Sequence, residues 1–587
     1  MRKKRYVFLA ICIFLMISLL IGRLVQLQLI ETESFSKHHI NLIEESVTQR
    51  TQQMIIDDGR GQFLDRNNKS LTYQEKSVLV LFPFLKKLKW DSSKVASILD
   101  VSENQLLSEL ENAKNPFIFH GNNPYILTDR QVREINELKI PGVFAVRKKY
   151  TEANPTAAQL IGITGEDANT FLKRYPDKKG MQNQKIGITG LQKQFDEFLL
   201  PDGESKLVYH VDAIGGPLFG INVKYTGPGN PFYPVKIQTT INKELQEEIE
   251  KKVDEYKIKK GGVLLLDIEN NEILADISRP KMNPRDPYAD NAVENMMFSQ
   301  QIPGSIFKTV VAAASIETGI VNDSEIFPCS LDLYGKPAER KLGDLNFDES
   351  FAQSCNRTFG ELAKRLKKEN PNLLDEYAKK LGLIGQISWD GDIYHFTNFR
   401  QFIEDEGQVF AKEESKRDDN FAAQTGIGQQ EVRITPLAVA NMMATIARGG
   451  EQLTVRTVSA IQYQDGTTMA DFPKQKSQGD TISKVTAIKL QKMLRHVVTN
   501  DNGTGRWFQQ LPYEVAGKSG TAETGIYLNN QQLHNKWFAG YFPFKNPKYA
   551  LVVVNLEVPE NEGGINPLFA DIVNLIYEKD TKISGTN

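Results

Sequence analysis

Four consecutive basic residues, Arg2-Lys3-Lys4-Arg5, run directly into an unbroken apolar stretch from Tyr6 to Gly22. Nothing else in the chain restricts its folding so strongly, because an apolar run near the lower limit of about 17 residues can span a bilayer. Leu24, Val25 and Leu27 extend it, and the long side chain of Arg23 can reach back to the interface. Such a segment is either a cleaved signal peptide or a retained anchor. No small-x-small cleavage site follows; Arg23-Leu24-Val25-Gln26-Leu27-Gln28 continues the run instead, which points to an anchor. The basic flank then stays in the cytoplasm and the rest of the chain lies outside the membrane. No second stretch is long enough to span, so everything beyond residue 30 is expected to fold in water.

At 587 residues that remainder is too long for one domain. A net charge of -2 gives no whole-chain sign of nucleic-acid binding. Cys12, Cys329 and Cys355 stand far apart without C-x-x-C spacing, so neither a disulfide framework nor a zinc site is expected. The seven histidines include no H-E-x-x-H pattern. Neither a metal nor a cofactor is expected.

From Glu31 to Thr51 apolar residues such as Ile40, Leu42, Ile43 and Val47 recur at helical intervals, which suits a stalk. Between Lys76 and Asn136 an apolar run, Ser77 to Phe84, alternates with helical patterns around Asp91 to Leu99 and Ser102 to Ala113. Glycine and proline concentrate between Gly215 and Pro234, a boundary between folded units. After it, Val235 to Ile241 reads as a strand, and Asn242 caps a helix from Lys243 to about Tyr256. Gly262 to Asp267 and Glu272 to Ser278 read as a hairpin. The charged stretch Glu404 to Asn420 reads as a mobile loop, and Pro436 to Gly449 as a buried helix. Near the end, Lys536 to Phe542 and Tyr549 to Leu556 read as strands and Pro567 to Tyr577 as a closing helix.

Chemistry concentrates in three short fragments. Pro303-Gly304-Ser305-Ile306-Phe307-Lys308 leads into the small apolar run Thr309 to Ala314. If that run is helical, Ser305 and Lys308 share a face, and a hydroxyl meets an amine. A serine needs a partner to take its proton, and a lysine can do so when burial or a second cation keeps it partly neutral. S-x-x-K alone is common and often only caps a helix. Ser354-Cys355-Asn356 adds a second hydroxyl and a carboxamide, and Lys518-Ser519-Gly520-Thr521 adds a second lysine beside a glycine that lets a backbone approach closely. Each fragment is weak alone; in this order the three form a known set for serine acyl-transfer enzymes.

With these motifs the chain resembles the class B penicillin-binding proteins, the membrane-anchored peptidoglycan DD-transpeptidases. Arg60-Gly61 with Asp65-Arg66-Asn67 is similar to that family's RGxIxDRNG motif, with Phe63 and Asn68 replacing the usual isoleucine and glycine. Gly187-x-x-Gly190-Leu191 with Phe195-Asp196 resembles its GxxGLExxYD element, with Gln192 where glutamate is usual. Gly262-x-x-x-x-Asp267 with Glu272-Ile273-Leu274-Ala275, and Gly426-Ile427-Gly428-Gln429 with Thr435-Pro436-Leu437, extend the likeness.

The resemblance implies an α+β multidomain chain: a cytoplasmic tail and transmembrane anchor over 1–30, an elongated α/β pedestal over 31–234, and a transpeptidase domain over 235–587. In the last, an antiparallel sheet is flanked by helices as in serine β-lactamases. It implies no additional N-terminal glycosyltransferase domain and no repeat modules at the end. It makes Ser305 the acylated nucleophile and Lys308 its base; Ser354 relays a proton, Asn356 binds Lys308 and the substrate amide, and Lys518 supplies positive charge. Ser519, Gly520 and Thr521 are the implied substrate-binding residues. Implied partners are peptidoglycan stem peptides, their lipid-linked precursor, β-lactam antibiotics, the membrane, and a glycosyltransferase or cell-division or elongation proteins. Nucleic acid is not among them. A β-lactamase-like hydrolase, a sensor and a non-catalytic scaffold are the alternative readings.

Overall fold

The computed structural model describes residues 2–35, 41–49, 51–152, 154–178, 184–211 and 223–585. The amino-terminal run forms one helix, Arg2–Val25, prolonged by the wider turn Gln26–Ile30. Among the described residues it is the one helix long and apolar enough to cross a membrane, and none of its apolar window is buried against protein. A further short helix, Leu42–Gln49, falls in the expected stalk; Ile40 lies outside the described residues.

Beyond the helix the chain forms two compact units that interleave along the sequence. The smaller contains Met1–Arg60, Gln74–Thr151 and Pro201–Pro231; the larger contains Gly61–Tyr73, Glu152–Leu200 and Phe232–Asn587. The expected boundary between Gly215 and Pro234 is described only from residue 223 onward.

In the smaller unit, Thr51–Asp57, Ser205–His210 and Lys224–Thr226 form an antiparallel sheet. A second sheet orders Phe117–Ile118, Tyr73–Leu81 and Val143–Thr151. Helices Ser92–Leu99, Glu103–Asn112 and Asp129–Glu137 begin at Asp91, Ser102 and Thr128, whose side chains accept N–H bonds from the first turn. Their apolar faces share a core with Leu79, Leu81 and Val143.

The larger unit is built on a five-stranded antiparallel sheet in the order Glu272–Arg279, Gly261–Asp267, Tyr549–Pro559, Gln531–Phe542, Ala516–Leu528. Alternate residues of its central strands enter different cores. Val263, Leu265, Phe538, Leu551 and Val553 pack with helices Lys243–Glu255 and Asn566–Gly585. Leu264, Leu266, Trp537, Val552 and Val554 pack with helices Lys308–Thr318 and Pro436–Ala447. Covered on both faces, these strands are apolar almost throughout, which is why they read as continuous runs rather than alternating ones. Asn242 caps its helix as expected, its Oδ1 accepting from Leu245 N.

The cysteine spacing gives no reason to expect a disulfide framework, yet one pair is joined: Cys329 and Cys355 are bonded, with Cα atoms 5.8 Å apart. Twenty-six positions separate them in sequence, and only the packing of a short hairpin, Phe327–Pro328 with Asp344–Leu345, near the start of helix Asn356–Glu369 brings them together. Cys12 lies free in the amino-terminal helix.

Candidate active site

Helix Lys308–Thr318 is preceded by a tight 3-10 turn, Gly304–Ile306, so Ser305 sits in the turn and Lys308 at the first helical position. The helix is buried from Lys308 to Ser315 and stops at Gly319, which takes the left-handed conformation glycine adopts without strain. Gly304 is also left-handed, at φ 55°, and a β-carbon there would lie 2.3 Å from the Thr521 carbonyl oxygen. Its N–H donates to the Gly428 carbonyl at 3.0 Å. The Ser305 turn is thus wedged between the edge strand and the Gly426-Ile427-Gly428-Gln429 segment, where no side chain fits.

The second fragment also sits at a helix start. Ser354 precedes helix Asn356–Glu369, with Cys355 at its N-cap, and Ser354 itself is held at φ 60°. A left-handed non-glycine residue costs energy and is stabilised only by its surroundings, a pattern concentrated at functional sites. The third fragment lies on the edge strand, where Lys518, Gly520 and Ala522 are buried while Ser519 is half-buried and Thr521 exposed. Gly520 faces the Ser305 turn: a β-carbon would lie 2.6 Å from the Pro303 carbonyl oxygen. Its bare Cα therefore serves the approach of the protein's own backbone.

These placements bring the polar groups together. Lys308 Nζ donates to the Ser354 carbonyl at 2.8 Å, to Ser354 Oγ at 3.1 Å and to Asn356 Oδ1 at 2.7 Å. Lys518 Nζ donates to the same Ser354 Oγ at 3.0 Å and to the Ser519 carbonyl at 3.1 Å. One hydroxyl thereby bridges two lysines, both 0% exposed. The Phe359 and Phe351 rings lie 5.7 Å from Lys308 Nζ and Lys518 Nζ. Ser305, Ser354, Asn356, Ser519 and Thr521 line one cavity of about 950 Å³. Among the described residues no hydrogen bond joins Ser305 to Lys308; Ser305 belongs to the group through the cavity wall and its place one turn before the lysine.

Burial holds Lys308 well below the usual lysine value, and the positive charges of Lys518 and Arg340 push the same way. Burial, then Arg340, lowers Lys518 to about 7. Both lysines are pushed toward their neutral forms. A neutral Lys308 offers a lone pair where Ser354 Oγ–H, freed from accepting there, can donate.

Three participants carried no motif. Arg340 lines the cavity and donates from Nη2 to the Gln353 carbonyl at 3.2 Å. Thr504 also lines it and receives the Ser519 hydroxyl at 2.8 Å. The Cys329–Cys355 bond fixes the middle residue of the Ser354-Cys355-Asn356 fragment. Only the pair of cysteines left a trace in the sequence.

Residues 261–574 match the penicillin binding protein transpeptidase domain, and residues 55–234 the penicillin-binding protein dimerisation domain. Stage V sporulation protein D of Bacillus subtilis is 25% identical over 520 residues, covering 84% of this chain and 73% of the relative. The peptidoglycan D,D-transpeptidase FtsI of Escherichia coli is 22% identical over 585 residues, covering 94% and 87%. Penicillin-binding protein PbpB of Mycolicibacterium smegmatis is 24% identical over 565 residues, covering 89% and 83%. A chain of the assembly described as "Structural coordination of polymerization and crosslinking by a peptidoglycan synthase complex" shares the fold, with a TM-score of 0.64 at 20% identity over 97% of both chains. With the transpeptidase match alone covering more than half its length, this chain belongs to the class B penicillin-binding proteins.

Proposed function

We propose that this chain is a peptidoglycan D,D-transpeptidase that cross-links stem peptides through an acyl-enzyme on Ser305. The observation that carries the reading is the pair of buried lysines sharing Ser354 Oγ at the wall of the cavity that Ser305 lines.

In this mechanism neutral Lys308 takes the proton as Ser305 Oγ attacks the carbonyl of the penultimate residue of a D-Ala-D-Ala donor. The N–H groups of Ser305 and Thr521 hold the developing oxyanion, each worth roughly 10²- to 10³-fold. The C–N bond breaks as the proton passes from Lys308 through Ser354 to the leaving amine, and D-alanine departs. An amine from a second strand attacks the ester, its proton returns through the same groups, and Ser305 is released as the cross-link forms. Asn356 orients Lys308 and the substrate amide. The Ser519 and Thr521 hydroxyls bind the donor carboxylate in the positive field of Lys518. Strand Ala516–Leu528 is the edge of its sheet, and an extended peptide can add to it through backbone hydrogen bonds.

The helix Arg2–Val25 anchors the chain in the cell membrane with residues 31–234 as pedestal and 235–587 as the catalytic domain outside. Lipid-linked precursor, a glycosyltransferase and division or elongation proteins are its proposed partners. The test is intact-mass and peptide mass spectrometry after benzylpenicillin treatment. A lasting adduct on Ser305, absent from Ser305→Ala, supports the reading; an adduct elsewhere, or equal labelling of the variant, overturns it. Rapid release of hydrolysed penicillin would identify a β-lactamase instead.

A further inference from the structure

We propose that Arg340 is a substrate-specificity residue, the guanidinium that meets the free carboxylate at the end of the donor peptide; the proposal rests on the transpeptidase reading above. Arg340 lies in the loop between strands Phe327–Pro328 and Asp344–Leu345. Three ties hold that loop against the Ser354 segment and its helix. They are the Cys329–Cys355 bond, Arg340 Nη2 donating to the Gln353 carbonyl, and Arg357 Nη1 donating to the Leu333 carbonyl at 3.2 Å.

Two arginines line the cavity, and Arg340 is the one whose charge acts on Lys308 and Lys518, whereas Arg433 spends Nη1 on the Gln430 and Val432 carbonyls. Lys308 and Lys518 are fully buried and committed to protein acceptors. Burial and Arg340 lower Lys518 to about 7, which weakens its hold on charge, whereas a guanidinium stays charged. Arg340 is exposed on the cavity wall, and among the described residues its Nε and Nη1 donate to nothing. Asp332, Glu339, Glu523 and Glu560 line the same cavity, yet none is ion-paired with Arg340; Asp332 instead accepts the N–H groups of Tyr334 and Lys336. The neighbouring charge that acts on Arg340 is another cation, Arg506, whose guanidinium stacks 4.5 Å from the Trp507 ring. Cations gathered at a cavity wall, with none of the lining carboxylates paired to Arg340, form an anion site. The planar donor fork matches a carboxylate, and Ser519 and Thr504 stand on the same cavity wall.

The test compares acylation of the full chain by benzylpenicillin, which bears a carboxylate, and by its methyl ester, which does not. Rates are read by intact mass across a pH series, so that a change in lysine protonation shows as the same shift with both compounds. Arg340→Gln is expected to slow benzylpenicillin by about 10- to 100-fold and the ester by less than about twofold. Arg340→Lys should recover part of the loss with the acid only. Equal losses with both compounds, or no loss with the acid, would overturn the assignment while leaving Ser305 acylation standing. Failure of the parent protein to be acylated by either compound would overturn the transpeptidase reading and this inference with it.

Discussion

Two of the places where the larger unit buries charge resolve it in opposite ways. Asp196, 2% exposed, accepts the Gly187 N–H at 2.7 Å and the Tyr175 hydroxyl at 2.8 Å, and pairs with Arg174 Nη1 at 3.3 Å. Lys308 and Lys518 are as deeply buried, but their neighbours are hydroxyls, a carboxamide, carbonyls and further cations. A buried charge with a counter-ion and hydrogen bonds fixes a conformation. Buried like charges without one shed protons. The first arrangement is architecture, and on the proposed mechanism the second stores a base beside a serine.

Breaking the second place should cost chemistry. Lys308→Met is expected to lower the benzylpenicillin acylation rate by about 10²- to 10⁴-fold, the range for loss of a positioned general base. The fold should persist, because a thioether suits the apolar packing. A smaller loss, read from the same mass-spectrometric rate, would mean that another group takes the Ser305 proton.

Breaking the first should cost stability. Asp196→Ala removes the acceptor from Gly187, Tyr175 and Arg174 and is expected to destabilise the larger unit by about 3–5 kcal/mol, as for other buried pairs that lose one partner. Denaturant unfolding measures this. The acylation rate per folded molecule should match the parent; a matching drop would show that the two places are not independent.

Much of this contrast was legible in the sequence, because the motif residues are forced by backbone as well as chemistry. Gly304 and Gly428 stand where a β-carbon would meet a carbonyl, and Asn242 where a helix needs a cap. Departures from the family pattern are absorbed locally. Phe63, fully buried, packs edge-to-face on Phe195 with ring centroids 6.5 Å apart. Asn68 takes φ 64°, a conformation asparagine tolerates where glycine is usual. The illegible parts are long-range. Glu404, read as the start of a charged mobile loop, is buried, its Oε1 accepting the Ile387 and Ser388 N–H groups and its Oε2 receiving Arg400. Residues 61–73 and 152–200 join the compact unit of the five-stranded sheet, within the 55–234 dimerisation-domain match. Arg340 and Thr504 carried no motif because loops far apart in sequence deliver them to the cavity.

The disulfide sharpens the contrast, since it ties the charged loop to the catalytic segment by a covalent bond instead of an ion pair. Cys329→Ser with Cys355→Ser is expected to lower unfolding free energy by about 2–4 kcal/mol through the larger entropy of the unlinked unfolded chain. The measurement is denaturant unfolding of variant and oxidised parent. A reduced parent that unfolds at the same midpoint as the oxidised one would remove the bond from the stability of this unit.

The smallest expected effect concerns how two buried cations divide one proton. Burial depresses Lys308 most, and Lys518 adds to it by repulsion. In the proposed mechanism the neutral form of Lys308 is the base, so acylation is expected to fall as pH drops through its folded-state pKa. Lys518→Ala removes one positive charge, the pKa of Lys308 rises, and the acid limb of the acylation profile moves to higher pH. At neutral pH the variant should be slower by about tenfold for each unit the limb moves, with part of the difference recovered in alkali. The deficit that persists there measures what Lys518 does through Ser354 Oγ instead of through its charge. An acid limb that stays in place would mean that burial alone sets Lys308, and the pairing of lysines would then be a hydrogen-bonding device and not an electrostatic one.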